Sequence, residues 1–489
     1  MAQSGVAFGT SGARGRVEAM SERVCYAYTA AFLQYLEQSG QLAAASVVAI
    51  GGDLRPSTPG IMGAVARAIA DRGHRAINCG TLPSPALALF GITQGMASIM
   101  VTGSHIPDDR NGIKFNTPRG EILKRDERAI TAQQLTLPPG LFDDHGNATE
   151  ALSLPAPEMA ATEAYIRRYL EFFPAGCLQT LRVGLYEHSA VGREIMARIL
   201  TGLGAEVVRL ERSERFVPVD TEAVRPEDVD KGRRWAAEFG LDAIVSSDGD
   251  GDRPLISDEQ GNWLRGDVAG ILCARFLGAD AVITPISSNT ALERSGWFGR
   301  VLRTRIGSPY VIEAMQQAAT DGAKNVVGYE ANGGFLTWHE IEQGGRHLPP
   351  LPTRDAMIVA LALLVMSRGS GIVRLLAQLP ARYTASDRVK AFPSEQSSSK
   401  LAALTPRDGE RLDTVAAAFG AIAGPPLSVN TTDGVRITFE NGEIIHLRAS
   451  GNAPELRCYV EAGSGARSAQ LLAACMQRLS GWQAEYGNR

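Results

Sequence analysis

At 489 residues the chain exceeds what one hydrophobic core supports, and at ~150 residues per domain it divides into three or four. Its 49 basic and 53 acidic residues leave a net charge of −4, which excludes the basic footprint of a nucleic-acid or acidic-membrane binder. Six dispersed cysteines (Cys25, Cys79, Cys177, Cys273, Cys458, Cys475) show neither disulfide nor zinc spacing. The N-terminus lacks signal-peptide order, and charges bound the apolar run Leu361 to Met366 too closely for a membrane span. The expectation is a cytoplasmic, multidomain globular protein.

In chain order, Phe8 to Val17 packs three glycines and two arginines into ten residues. That is either a backbone able to approach an anionic ligand, with Arg14 as a forked donor, or a flexible basic loop. The pattern predicts a helix over Ser21 to Gln38, a strand over Ser46 to Ile50, a break at Gly51 to Arg55, a helix over Ile61 to Arg72 and a strand from Arg75. Together these make a β-α-β unit of a parallel sheet. Ile99 to Val101 is a further buried strand, followed by Thr102-Gly103-Ser104-His105-Ile106-Pro107 and, after a loop, Lys114. A hydroxyl beside groups able to manage its proton is a nucleophile, a carrier of a transferred group, or an ordinary surface turn.

Proline, glycine and acids make 138–157 irregular, and a helix over Glu158 to Phe173 carries the chain onward. The β-α-β pattern recurs at Arg182 to Leu210 and again, more weakly, at Ala281 to Thr304. Three such units read as tandem α/β domains or as one large sheet; the apolar residues between them favour separate cores. Ser394 to Ser399 is expected to be an exposed polar loop. From Gly434 the pattern changes to short antiparallel strands and a helix over Arg467 to Trp482, an α+β unit.

Between the units lie the stretches able to carry chemistry. Asp248-Gly-Asp250-Gly-Asp252-Arg253 follows the strand Ala243 to Val245 and crowds three carboxylates on one turn. Their repulsion makes sense around a divalent cation, and open positions suit Mg²⁺. An EF-hand loop does not fit, because Arg253 stands where that loop requires glycine. Arg303 to Ser308 offers two arginines beside a glycine turn. Glu330-Ala-Asn332-Gly-Gly334 is either a reader of sugar hydroxyls or a plain hairpin turn. Arg448-Ala-Ser450-Gly451-Asn452, with Arg457, has the parts of a phosphate cradle, as do many chance turns.

Taken in order, Thr102-Gly-Ser104-His105-x-Pro107, Asp248-x-Asp250-x-Asp252-Arg253 and Arg448-x-Ser450-Gly451 resemble the α-D-phosphohexomutase superfamily, over the whole chain. The resemblance implies an α/β protein of four domains around a central cleft: three tandem related α/β domains with mainly parallel mixed sheets, and a C-terminal α+β domain. The boundaries expected are 1–155, 156–257, 258–375 and 376–489. It implies a phosphoserine at Ser104 and Mg²⁺ held by Ser104, Asp248, Asp250 and Asp252. His105 and Lys114 would handle protons, and Arg14 and Arg253 would be active-site arginines. Glu330 and Asn332 would read sugar hydroxyls. Arg448, Ser450, Gly451, Asn452 and Arg457 would hold the idle phosphate, with Arg305, Gly307 and Ser308 as further substrate contacts.

The implied reaction moves a phosphoryl group between the 1- and 6-positions of a hexose through a 1,6-bisphosphate, mannose first, with glucose or an amino sugar as alternatives. A Mg²⁺-dependent phosphatase and a silent sugar-phosphate binder are the competing classes. The partner would be a small-molecule hexose phosphate, and the protein a monomer or weak dimer. The sequence departs from the family pattern in four places. Ile106 replaces an asparagine, and Asn332 stands where bacterial members have serine. Gly334 replaces a histidine, and Asn452-Ala453 replaces Thr-Glu.

Overall fold

The computed structural model describes residues 4–9, 12–406, 412–450 and 454–487. Elements β1 (Ala7–Phe8), β2 (Ala13–Arg16), α1 (Glu22–Gln38), β3 (Val47–Gly52), α2 (Thr58–Asp71), β4 (Arg75–Thr81), α3 (Ser84–Gln94), β5 (Ala97–Val101), β6 (Arg110–Thr117), β7 (Gly120–Glu121) and α4 (Lys124–Thr131) form the first module. Its sheet runs β1-β2-β6-β5-β3-β4, with β7 beside β6. The central pairs, β3 with β4 and β3 with β5, are parallel as a β-α-β unit requires, while β5, β6 and β2 pair antiparallel. Every residue of β5 is buried, the pattern of a strand covered on both faces. Residues 138–157 carry no regular element beyond one bridge, Phe142 to Ala148.

A second module follows: α5 (Ala160–Phe172), β8 (Arg182–His188), α6 (Arg193–Gly202), β9 (Glu206–Arg212), α7 (Pro226–Phe239), β10 (Ala243–Ser247) and β11 (Pro254–Ile256). Its order is β11-β10-β8-β9, with β10, β8 and β9 parallel. The third holds α8 (Gly266–Phe276), β12 (Ala281–Pro285), α9 (Ala291–Arg294), β13 (Arg300–Thr304), α10 (Ser308–Thr320), β14 (Val326–Tyr329), β15 (Phe335–Thr337), β16 (Ile341–Gln343), β17 (Arg346–Leu348), β18 (Leu351–Asp355), α11 (Met357–Ser367) and α12 (Ile372–Leu376). Its sheet, β13-β12-β14-β15-β18, pairs β12 with β14 in parallel and turns antiparallel beyond. The apolar run at Leu361 lies in the buried helix α11. No helix among the described residues is long and apolar enough to cross a membrane.

The last region contains β19 (Tyr383–Lys390), α13 (Ser394–Ala403), α14 (Asp413–Ala423), β20 (Pro426–Asn430), β21 (Val435–Phe439), β22 (Ile444–Ala449), β23 (Glu455–Ala462) and α15 (Gly465–Gly487). Its antiparallel sheet, β19-β23-β22-β21-β20, carries a core with Leu471, Cys475 and Leu479 of α15. Ser394 to Ser399 is not a loop: it opens α13. Pro393 stands at the N-cap, Phe392 and Leu404 are buried at either end, and most of the serines face outward, so burial of the ends outweighs weak serine propensity.

The chain forms two compact units. The first is Met1–Ile283, Phe298–Leu302 and Gly307–Leu376; the second is Thr284–Trp297, Arg303–Ile306 and Ala377–Arg489. All six cysteines are buried and free.

Candidate active site

Ser104 sits where β5 ends, and the antiparallel return along β6 brings Lys114 beside Met100. Ile113 and Phe115 enter the core, so period-two alternation turns Lys114 to the other face. Ser104 is 1% exposed and adopts φ 56°, a left-handed conformation uncommon for a residue with a side chain. One buried cation holds the loop in it. The Arg55 guanidinium donates to the carbonyls of Ser104 (2.9 Å), Ile106, Pro107 (2.6 Å) and Arg110 (2.9 Å), and pairs with Asp53 at 3.1 Å. Asp53 in turn accepts from Thr102 Oγ1 at 2.7 Å and Thr58 Oγ1 at 2.7 Å. Gly103 is glycine because a Cβ there would lie 2.5 Å from the Arg55 guanidinium carbon.

The aspartate loop reaches this serine directly. Ser104 Oγ donates to Asp248 Oδ2 at 2.5 Å, and a Cβ on Gly249 would lie 2.9 Å from the Ser104 carbonyl oxygen. Ser84, at the start of α3, donates from Oγ to Asp250 Oδ2 at 2.6 Å and from its backbone N–H to the Asp250 carbonyl at 2.9 Å. Lys114 Nζ donates to Asp250 Oδ2 and Asp252 Oδ2, both at 2.6 Å. Asp248, Asp250 and Asp252 are buried, and one oxygen from each lies within 4.8 Å of the others.

That donor set fits a divalent cation. Asp250 Oδ1 and Asp252 Oδ1 are buried without a hydrogen-bond partner, and all the candidate ligands are hard oxygens. Burial, then the charges of Asp250 and Asp252, push the Asp248 carboxyl well above the usual range. Burial acts the same way on Asp250, but Lys114 overrides it and holds that carboxyl low. For Asp252, Arg354 and Lys114 outweigh burial. Three ionised carboxylates are thus not stable together without added positive charge.

Cations line the other side. Arg14, on β2 opposite Gly112, and Arg253 each keep a buried Nε without a hydrogen-bond partner, the arrangement an oxyanion would complete. Burial, then Arg253 and Arg354, lower Arg14 to about 10. His105 Nδ1 lies 3.3 Å from Ser104 Oγ; burial, then Arg253 and Arg14, hold the imidazole neutral, well below its usual range. Lys114 is held charged, since Asp250 and Asp252 outweigh its desolvation.

The turn after β14 carries Glu330 and Asn332. Asn332 Oδ1 accepts from the Gly334 N–H at 3.0 Å, so its oxygen is engaged within the turn. Glu330 Oε2 accepts from Arg354 NH1 at 2.9 Å, and Arg354 also pairs with Asp252 at 2.9 Å. Ser308, following Gly307 at the start of α10, donates to Glu121 Oε2 at 2.7 Å. Ser104, His105, Lys114, Arg253, the three aspartates, Ser308 and Glu330 therefore belong to one connected network in the first unit, and Arg14 interacts with it electrostatically. Asp53, Arg55, Ser84, Glu121 and Arg354 belong to it too, although no motif marked them.

Arg305, Arg448, Ser450 and Arg457 belong to the second unit. There Asp433 collects Arg448 Nε at 3.0 Å and the Ile306 N–H at 2.9 Å, while Arg305 Nε donates to the Thr432 carbonyl at 3.1 Å. Gly451 and Asn452 lie outside the described residues.

Comparison with known proteins covers nearly the whole chain. Four family descriptions match in order: phosphoglucomutase/phosphomannomutase alpha/beta/alpha domain I at 5–137, domain II at 163–261, domain III at 265–383 and the C-terminal domain at 401–477. The chain is 45% identical to a phosphomannomutase of Salmonella muenchen, over 94% of this chain and 93% of that one. It is 44% identical to a phosphomannomutase of Sinorhizobium fredii, over 96% and 98%. Its fold matches a solved phosphoglucomutase/phosphomannomutase family protein from Burkholderia thailandensis with a TM-score of 0.71 at 19% identity, over 97% of both chains.

Proposed function

The chain belongs to the phosphoglucomutase/phosphomannomutase family, and from that premise we propose that it interconverts mannose 6-phosphate and mannose 1-phosphate through a phosphate carried on Ser104. The enzyme is an isomerase-class phosphotransferase. The observation that carries the reading is the buried hydroxyl of Ser104, 2.5 Å from one carboxylate of a three-aspartate cluster. A serine hydrolase has no use for three carboxylates around its nucleophile; a phosphorylated serine needs the positive charge they gather.

Phosphoryl transfer asks a protein for alignment and charge neutralisation more than for covalent chemistry. Phosphoserine Ser104 gives its phosphoryl group to a hexose hydroxyl: the bond from phosphorus to Oγ breaks as a bond to the sugar oxygen forms. The hydroxyl's proton passes to a base and Oγ regains one. Neutral His105 is suited to take or return a proton at Nδ1, and charged Lys114 to donate one. The buried Nε–H groups of Arg14 and Arg253, which have no hydrogen-bond partner, offer donors to phosphate oxygens. Mg²⁺ on Asp248, Asp250, Asp252 and the Ser104 oxygen would supply charge neutralisation to the transferring group. The 1,6-bisphosphate then reorients and returns its other phosphate to Ser104, which also makes a hexose 1,6-bisphosphate the activator.

Glu330 and Asn332 would grip the sugar hydroxyls, with Gly307 and Ser308 as further substrate contacts. In the second unit Arg305, Arg448, Ser450, Gly451, Asn452 and Arg457 would hold the phosphate not being transferred. We take the domains as 1–155, 156–257, 258–375 and 376–489, and the protein as a monomer or weak dimer. Mannose is preferred because both relatives at 44–45% identity are phosphomannomutases.

The test supplies mannose, glucose, glucosamine and N-acetylglucosamine 1-phosphates, each with a catalytic amount of its 1,6-bisphosphate. The expected result is fastest turnover of the mannose ester, with phosphate mass on Ser104. Full activity in Ser104→Ala would end the mechanism, and preference for another sugar would reassign the substrate.

A further inference from the structure

Gly334 is not glycine for its backbone, because its φ is not among the positive values that include Gly333 at 88°. It is glycine for space. A Cβ there would lie 2.7, 2.8 and 2.9 Å from Cδ, Cγ and Cβ of Arg354. These are stem atoms, and the stem is fixed. Arg354 is 2% exposed near the end of β18, and the next residue, Asp355, is anchored by Tyr165 Oη at 2.6 Å and by the Tyr169 hydroxyl. Asp355 also accepts from the Met357 N–H at 3.0 Å, tying the strand end to α11.

The guanidinium reaches two loops at once. Nε and NH2 lie 3.1 and 2.9 Å from Asp252 Oδ2, NH1 lies 2.9 Å from Glu330 Oε2, and NH1 also donates to Ser308 Oγ at 3.3 Å. We infer that Arg354 is the positioning and specificity-determining cation of this site: it locks the sugar-reading carboxylate of Glu330 to the aspartate loop, and Gly334 leaves the space its stem occupies. The inference rests on the mutase reading above.

A planar fork can serve two carboxylates in fixed directions, whereas an ammonium is a point charge on a flexible stem. Lysine therefore keeps the charge and loses the lock. With Glu330 released, hydroxyls of different sugars are no longer told apart by a carboxylate in one orientation, and substrate alignment relative to Ser104 loosens. The sulfur-free, fully buried network offers no second cation with the same two partners among the contacts described for Glu330.

The test measures kcat and KM for mannose 1-phosphate and glucose 1-phosphate in wild type, Arg354→Lys, Arg354→Ala, Gly334→Ala and the Gly334→Ala/Arg354→Ala double variant. Binding of mannose 1-phosphate by calorimetry is measured in a Ser104→Ala background. Both Arg354 variants should lose about 10²-fold in kcat/KM, and the mannose-to-glucose preference should narrow by about tenfold or more. Gly334→Ala should reproduce both effects with Arg354 present, and the double variant should be no worse than Arg354→Ala alone. Should Arg354→Ala not fold, Arg354→Lys and Gly334→Ala decide. Wild-type kinetics and preference in either, or losses that add in the double variant, would overturn the assignment. An inactive wild type would instead refute the mutase reading; the inference would then stand or fall on whether Gly334→Ala weakens sugar-phosphate binding.

Discussion

Replacing Arg55 with alanine removes one guanidinium that serves Asp53 and four backbone carbonyls, all at a side chain with no solvent exposure. Two terms set the cost. Breaking a buried ion pair by deleting one partner costs about 3–5 kcal/mol, because the remaining charge is left uncompensated. Burial already pushes the Asp53 carboxyl up against the opposing Arg55 charge, so Asp53 would take up a proton and recover part of that. The four carbonyls, at ~1 kcal/mol net each, add a loss of similar size that partly overlaps the first. A destabilisation of about 4 kcal/mol follows, which at ~2–4 °C per kcal/mol lowers Tm by roughly 8–16 °C.

The functional effect is separable. Without the clamp, the left-handed backbone at Ser104, which costs roughly 1–2 kcal/mol for a residue with a Cβ, relaxes and moves Oγ away from Asp248. A displacement near 1 Å is worth about 10²-fold in rate. Arg55→Lys, which restores charge but not the fork, should fall between wild type and alanine in Tm and stay near alanine in rate. Scanning calorimetry reads the first quantity. Mass spectrometry of Ser104 phosphorylation by glucose 1,6-bisphosphate over time reads the second. If Arg55→Ala melts within 2 °C of wild type, by the ~2–4 °C per kcal/mol scale, and takes up phosphate at the wild-type rate, the clamp account is wrong.

Chelation should abolish mutase activity and Mg²⁺ restore it, while Asp250→Asn, which removes one of Lys114's two ionised partners and one candidate metal ligand, should weaken Mg²⁺ in isothermal titration; chelator indifference counts against the cluster as a metal site. Burial lowers His446 to about 4, so the folded state keeps it neutral where the unfolded state begins to protonate. Its contribution is fully present above about pH 6.5 and is lost as pH falls toward 4, worth about 3 kcal/mol at most. Tm should therefore fall less steeply from pH 6.5 to 4 in His446→Asn than in wild type, and parallel curves would remove His446 from the explanation. Arg448→Ala should lower kcat/KM by about 10–10²-fold, the loss of charge-assisted hydrogen bonds to phosphate. Unchanged kinetics would show that Arg448 serves only Asp433.

The chemistry-bearing loops were legible because their residues are contiguous. An apolar strand followed by Gly-Ser-His or by alternating Asp-Gly is visible in one window, and β5 and β10 run into those loops as expected. The β-α-β repeats were visible for the same reason, and four family descriptions match along the chain in order. Long-range partners were not legible. Arg55 acts on carbonyls 49 to 55 residues away, and Ser84 on an aspartate 166 residues away. Gly51-Gly52-Asp53-Leu54-Arg55, where β3 ends, reads locally as a strand break; its one signal is a pair of opposite charges at the end of an apolar strand. The helix α13 is not legible in the serine run itself because its stabilising contacts, Phe392 and Leu404, flank that run.

Gly334 shows what a departure from a family pattern can mean. In the sequence it is a missing side chain in a sugar loop, and nothing nearby compensates. In the structure its place holds the stem of Arg354, from a strand that begins at Leu351. Two positions 20 residues apart therefore form one unit: a larger residue at 334 excludes the arginine, and an arginine at 354 requires glycine at 334. Either change alone leaves a clash or an unpaired buried carboxylate, each destabilising. The pair can be exchanged only together, so Gly334 and Arg354 should be mutated jointly when the sugar preference is redesigned. A Gly334→His substitution should be inactive with Arg354 present and recover to the reduced level of Arg354→Ala when Arg354 is shortened to alanine. The mutase assay on the single and double variants reads that recovery, and equal activity in the two would break the link.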